Sequence, residues 1–176
     1  MQNKFNDVFN LVTSDILKDC VSKIVGEKMI TIKKAEVESI AGSSLNFITD
    51  GIFRISGTAY IQKSEVPWSL VLKIIKQAEE EKNNPMHHNY WKREALVNQT
   101  NILNEFAHVF YVPQCYKVEE KENGSTWLWM EEIKLNNQLD WSKEDFAFIA
   151  RQLGIFNAIY LNKHIVHKEP WICQQW

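Results

Sequence analysis

Two residues of opposite charge, Lys73 and Glu94, have types and a spacing that could do chemistry. Lys73 lies in Val66–Ile75, a run of aliphatic and β-branched residues that predicts a β-strand. Alternation along this strand places Lys73 on one face, between Val71 and Ile75. Burying an ammonium group there costs free energy unless it reaches water or meets a carboxylate. Glu94, 21 residues further along the chain, is a candidate partner.

The segment before Glu94 predicts a helix. Asn84 and Pro85 are typical of a helix start, with the asparagine as N-cap and the proline in the first turn. Residues three or four positions apart share a helix face, so Glu94 lies in an apolar stripe with Trp91 and Val97. A strand lysine followed by a glutamate on the next helix is the pair with which nucleotide kinases hold the α- and β-phosphates. A purely structural ion pair would give the same pattern, and a lone strand lysine that reaches solvent is a third interpretation.

A loop of small polar residues, Ala41–Gly51, precedes the predicted strand Ile52–Ile61 and contains Ser43 and Ser44. A strand, a polar loop and a second strand thus precede the Lys73 strand. This is the order of a hairpin that covers phosphates with its backbone amides. The loop has no G-x-G-x-x-G pattern. An ordinary hairpin connection is therefore an equally good interpretation.

A second hairpin is predicted after the Glu94 helix. Tyr111–Glu120 and Thr126–Ile133 are strand-like, and Asn123-Gly124 between them is a turn signal. The second strand ends in two glutamates and a polar stretch, which is the form of a kinase hinge. Any strand that leaves a core would also end in this way.

The helix predicted from Ser142 to Leu161 is apolar on two sides. Ser142 and Asp145 resemble a capping box at its start. A helix that is apolar on two sides is typical of the interior of a larger core. We therefore expect residues 142–161 to mediate self-association as a dimer or to pack against a further lobe.

The composition of the chain excludes several classes of protein. The chain has 176 residues, is 45% hydrophobic and 24% charged, and carries a net charge of −2, so it lacks the basic excess of nucleic-acid or membrane-surface proteins. No apolar run approaches about 20 residues and no signal peptide is recognisable, so we expect a cytoplasmic protein. Its three widely spaced cysteines predict free thiols. His164-x-x-His167 near Glu169 lacks a convincing third ligand, and no metal site is predicted.

Taken together, these segments resemble the aminoglycoside phosphotransferase-like branch of the protein kinase-like superfamily. They cover most of the chain after residue 40 in the family's order and spacing, which is more specific than any one of them. The matching segments are Phe53–Ala59, Trp68–Lys73, Tyr90–Ala95, Val112–Tyr116, Trp127–Glu132 and Ala150–Asn157.

The resemblance implies an α+β fold. Residues 1–133 would form a kinase-like nucleotide-binding lobe with an N-terminal helix, in which a five-stranded antiparallel sheet is accompanied by the helix that carries Glu94. Residues 134–176 would form the hinge or linker and the first helix of an incomplete second lobe.

The resemblance also implies an ATP site. Lys73 would bind the phosphates and Glu94 would hold the lysine. The backbone carbonyl of Glu131 and the amide of Ile133 would bind adenine, with Met130 at the back of the pocket. The full set of predicted cofactor-binding residues is Lys73, Glu94, Met130, Glu131, Ile133, Ser43 and Ser44.

The family's catalytic residues have no counterpart in this sequence. In the family, an aspartate base and an asparagine follow the helix that would end near Leu161, and a metal-binding aspartate comes later. The last aspartate here is Asp145. We therefore predict no catalytic residue, no Mg²⁺ site, weak ATP binding and no phosphotransferase activity for this chain alone. The alternative function is a non-catalytic nucleotide-binding or protein-interaction module built on a kinase lobe, and the phosphoryl acceptor is not predicted.

Overall fold

Five antiparallel strands and three α-helices make up the part of the chain that the structure, a computed structural model, describes: residues 14–42, 48–100, 102–134, 140–163 and 169–172. The predicted α+β class and five-stranded antiparallel sheet are confirmed. Within the described ranges, no helix combines the length and the apolar character needed to cross a bilayer. In chain order the elements are α1 (Ser14–Val25), β1 (Ile30–Gly42), β2 (Thr49–Ile61), β3 (Ser64–Ile75), α2 (Arg93–Thr100), β4 (Cys115–Glu120), β5 (Thr126–Glu131) and α3 (Lys143–Lys163), with 3₁₀ turns at Glu80–Asn83 and Ile102–Phe106.

The chain divides into two compact units. The sheet unit comprises Met1–Glu79 and Gln114–Glu132, and the helical unit comprises Glu80–Pro113 and Ile133–Trp176. The segment between β3 and β4 therefore belongs with the residues that follow β5. The sequence predicted a single division after residue 133, and that domain boundary stays a prediction.

The sheet has the strand order β1-β2-β3-β5-β4. Its first three strands follow one another as hairpins, whereas β5 pairs with both β3 and β4. The register of β1 against β2 shifts between Ile32 and Lys34 and again between Ser39 and Ala41. Such bulges bend a strand.

One face of the sheet is buried together with α1. Alternate side chains of β3 point to this face, as the strand pattern predicted, and Leu70 and Leu72 are fully buried there. Burying each large apolar side chain stabilises the fold by about 1.5–3 kcal/mol. The buried cluster consists of Leu17, Cys20, Val21, Ile30, Phe53, Ile55, Ala59, Trp68, Leu70, Leu72, Ile74, Trp127 and Trp129.

Two glycines with positive φ lie at the ends of elements in the sheet unit, and the sequence predicted the turn at the second of them. Gly26, with φ of 74°, follows α1, and Gly124, with φ of 78°, lies in the turn between β4 and β5. The neighbouring Asn123 supports that turn, because its Oδ1 accepts a hydrogen bond from the Ser125 amide at 3.0 Å. The Asn123-Gly124 hairpin is confirmed.

The predicted helix start at Pro85 is wrong, since α2 begins at Arg93. The Asn84 side chain closes a turn instead of capping a helix: its Oδ1 accepts a hydrogen bond from the Met86 amide at 3.0 Å. The Asn84 carbonyl also accepts a hydrogen bond from the His87 amide at 2.9 Å. Asparagine and proline favour turns as well as helix starts, and here the turn is formed.

The second hairpin is shorter than predicted. β4 begins at Cys115 rather than at Tyr111, because Pro113 has no amide hydrogen to donate to a strand ladder. β5 ends at Glu131, two residues before the predicted end at Ile133.

Helix α3 begins with the predicted capping box. Ser142 Oγ accepts a hydrogen bond from the Asp145 amide at 3.1 Å, and Asp145 Oδ2 accepts one from the Ser142 amide at 2.8 Å. The Ser142 hydroxyl also donates a hydrogen bond to Asp145 Oδ2 at 2.7 Å, and this bond, followed by that from the Ser142 amide, lowers the pKa of Asp145 below its ordinary value. Phe156 packs on Phe106 with ring centroids 4.6 Å apart. Several apolar side chains of this helix are exposed: Phe146, Phe148, Leu153, Ile155 and Leu161.

Candidate functional site

The candidate site lies on the face of the sheet opposite α1, which we call the second face. Lys73, on β3, pairs with Ile52 of β2 and with Leu128 of β5. Residues that pair directly in antiparallel strands point to the same face. Lys73 is half-buried between these two apolar neighbours, and Leu128 is fully buried. The aliphatic stem of Lys73 therefore lies in an apolar row across the centre of the sheet.

A second row on the same face consists of Arg54, Val71 and Met130. Because Met130 pairs with Val71, it lies diagonally across from Lys73, a separation of about 7–8 Å for such neighbours. The structure thus brings the predicted phosphate-binding lysine and the predicted back-of-pocket methionine onto one surface. Both Val71 and Met130 are half-buried.

Arg54 links β1 to the end of β5, two strands that are not neighbours in the sheet. Its Nε donates a hydrogen bond to Glu132 Oε1 at 2.5 Å, and its Nη1 donates to Glu38 Oε2 at 2.9 Å. The hydrogen bond to Glu132, followed by that to Glu38, raises the pKa of Arg54. Sequence reasoning missed this cluster. The available signal was an arginine within the apolar alternation of β2, which calls for a carboxylate partner.

The end of β5 is also held on the side of β4. The amide of Glu131 donates to the Gln114 carbonyl at 2.8 Å, and the Gln114 amide donates to Glu131 Oε2 at 3.0 Å. Glu131 is therefore fixed through its backbone and its side chain. Ile133, two residues after Glu131 and predicted to bind adenine through its amide, is an exposed residue of the helical unit.

Glu94 lies in the first turn of α2, within the helical unit, and is half-buried. A carboxylate at this end of a helix is stabilised by the helix dipole. The preceding Arg93 fixes the start of the helix by donating to the backbone carbonyls of Trp171 at 2.6 Å, His88 at 2.6 Å and His87 at 2.8 Å. Lys73 and Glu94 belong to different units, and their ion pair stays a prediction.

Other predicted site residues fall outside the described ranges. Ser43 and Ser44 of the polar loop are among them. His164 and His167, for which no metal site was predicted, also lie outside these ranges. Across the residues that are described, no three histidine, cysteine, aspartate or glutamate side chains are grouped so that they could hold a metal ion.

Two cysteines of the sheet unit, Cys20 and Cys115, are free thiols, as predicted. Burial raises the pKa of Cys20 to about 12. A thiol with such a pKa stays protonated at neutral pH and is a poor nucleophile. Cys20 is therefore a packing residue and takes no part in the site.

The fold and the second face define an α+β protein with a lysine in the centre of an antiparallel sheet. Comparison of the chain with protein-family models, with curated proteins and with solved structures found no match. Any assignment of function therefore rests on the residues and on the geometry of the second face.

Proposed function

We propose that this chain is the ATP-binding lobe of an aminoglycoside phosphotransferase-like small-molecule kinase. The observation that carries the proposal is the position of Lys73 on the third strand of an antiparallel sheet, on the face that α1 does not cover. In protein kinases the phosphate-binding lysine is on the third strand, and its glutamate partner is on the helix that follows. Here α2, the first α-helix after β3, carries Glu94 in its first turn.

The chemistry of the second face suits a nucleotide. A purine ring needs a flat apolar surface, which Val71 and Met130 offer beside the lysine. Phosphate oxygens need a cation, and an ammonium group that is partly shielded from water binds them more strongly than an exposed one. Ile52 and Leu128 flank Lys73 and provide that shielding.

The proposed role is nucleotide binding rather than phosphoryl transfer by this chain alone. In the resembled family, Mg²⁺ and an aspartate base supply the charge neutralisation and proton transfer that move the phosphoryl group. The sequence has no aspartate after Asp145, which lies in the first turn of α3. What this chain supplies is a lysine for the phosphates and an apolar face for the base.

Mapping the ATP-induced amide shifts of ¹⁵N-labelled protein tests the proposal. We expect the largest shifts at Ile52, Lys73 and Met130, and no shifts at Leu17 and Val21, whose side chains lie on the opposite face. Shifts confined to another surface would refute the assignment of the site. Complete absence of shifts would favour the alternative, a protein-interaction module.

A further inference from the structure

Three charged side chains form a chain of ion pairs across the sheet unit: Glu38 of β1, Arg54 of β2 and Glu132, which directly follows β5. β3 lies between β2 and β5, so the guanidinium group spans that strand to reach Glu132. The cluster therefore ties the residue at which the chain leaves the sheet to a strand two positions away.

The two carboxylates are not equivalent. The Glu132 side chain is 12% exposed, whereas that of Glu38 is 65% exposed. A shielded carboxylate depends on its cation far more than one in water does. The Nε–H and Nη1–H groups of Arg54 point in fixed directions from a planar group, so the bond to Glu132 also fixes the direction of that side chain.

The residue before Glu132 is held from the other side. Glu131 is bonded to Gln114 through its own amide and through its carboxylate. Two consecutive residues are thus anchored to different neighbours, one toward β4 and the next toward β2. This arrangement leaves the backbone at the end of β5 little rotational freedom.

We infer that Arg54 is a positioning residue for adenine recognition: by holding Glu132 it fixes the backbone groups on either side, the carbonyl of Glu131 and the amide of Ile133. The inference rests on the proposed function, since those two groups are the ones the kinase resemblance assigns to adenine. Arg54 itself need not touch the nucleotide.

Backbone order in the nucleotide-free protein tests whether Arg54 holds the chain in place at the end of β5. The variants are Arg54→Met and Glu132→Gln, with Glu38→Gln as the matched control that removes the exposed carboxylate from the same arginine. We expect ¹⁵N order parameters of Glu132 and Ile133 near those of rigid backbone, about 0.85, in the wild type and in Glu38→Gln. They should fall toward about 0.6 in the other two variants. Equal order parameters in all four proteins would overturn the inference.

Ligand selectivity tests the role in recognition. Arg54→Met should weaken adenosine and ATP binding by about three- to tenfold, in the lower part of the range expected for coupled residues. It should leave the affinity for inorganic triphosphate within about twofold, because Lys73 and not Arg54 binds the phosphates. Arg54→Lys, which keeps the charge, should recover part of the adenosine affinity. A parallel loss of adenosine and triphosphate binding would indicate general damage to the sheet and would contradict the positioning role.

The two proposals fail in different ways. A wild-type protein that binds no ATP would overturn the proposed function and the adenine role together. Normal ATP binding by Arg54→Met, with unchanged backbone order, would overturn the positioning role alone.

Discussion

Replacing Gly57 with alanine should strongly destabilise the sheet unit. Gly57 is in the middle of β2, next to the first bulge of β1, and pairs with Ala35 and Trp68. A Cβ atom added there would lie 1.9 Å from the Lys34 carbonyl oxygen and 2.9 Å from Trp68 Cζ2. Glycine at this position therefore permits the close approach of the two strands.

The size of the effect follows from the clash between the added Cβ and the Lys34 carbonyl oxygen. To restore a Cβ–oxygen separation of 3.0 Å, the Lys34 carbonyl would have to retreat by about 1.1 Å, although it belongs to a paired strand. The Trp68 ring cannot yield freely either, since it is buried in the core. Overpacking of this kind costs about 1–3 kcal/mol, and a backbone contact belongs at or above the upper end of that range.

Urea unfolding monitored by far-UV circular dichroism measures the cost. Gly154→Ala is the matched control, because a Cβ at this position of α3 would meet nothing within 4 Å. It should raise the unfolding free energy by about 0.5–1 kcal/mol, as alanine does in a helix interior. A Gly57→Ala variant as stable as the wild type would show that β1 and β2 are not paired in this register.

Three further predictions concern a thiol, a surface and an activity. Between pH 8 and pH 10 the urea stability of the wild type should fall relative to Cys20→Ala, by up to about 1.4 kcal/mol per pH unit above 9. The pKa of the buried thiol is raised from 9.0 to about 12, so the stability that the protonated thiol contributes is complete below pH 9 and is lost as the pH rises toward 12. Equal dependence of stability on pH in the two proteins would contradict this. Sedimentation should show self-association that Leu153→Glu weakens, because exposed apolar residues of α3 favour burial; a monomer at every concentration would rule it out. The purified chain should transfer no phosphate from ATP, with or without Mg²⁺, and turnover that disappears in Lys73→Ala would refute that expectation.

Features that depend on neighbouring residues could be read from the sequence. The alternation of β3, the Asn123-Gly124 turn and the Ser142–Asp145 capping box each need only a few adjacent positions, and the structure contains all three. The second face could be anticipated because alternation alone separates Lys73 from the side chains that pack on α1.

Features that depend on distant partners could not be read in this way. Arg54 donates a hydrogen bond to Glu132, 78 positions later, and Arg93 donates one to the Trp171 carbonyl at the same separation. The start of α2 was missed for a related reason. Asn84 is compatible with a cap or a turn, and the contacts of Arg93 fix the helix start eight residues after Pro85.

Calorimetric titration of ATP into the wild type, Lys73→Ala and Lys76→Ala tests whether Lys73 binds the phosphates of a nucleotide. We expect weak binding by the wild type, with a dissociation constant of about 0.1–1 mM. Lys73→Ala should bind at least about tenfold more weakly, because a hydrogen bond to a charged group contributes about 1.5–3 kcal/mol. Lys76→Ala should bind like the wild type, since Lys76 is exposed just beyond the end of β3. No heat of binding in the wild type, or equal affinities in all three proteins, would contradict the claim that Lys73 marks a nucleotide site.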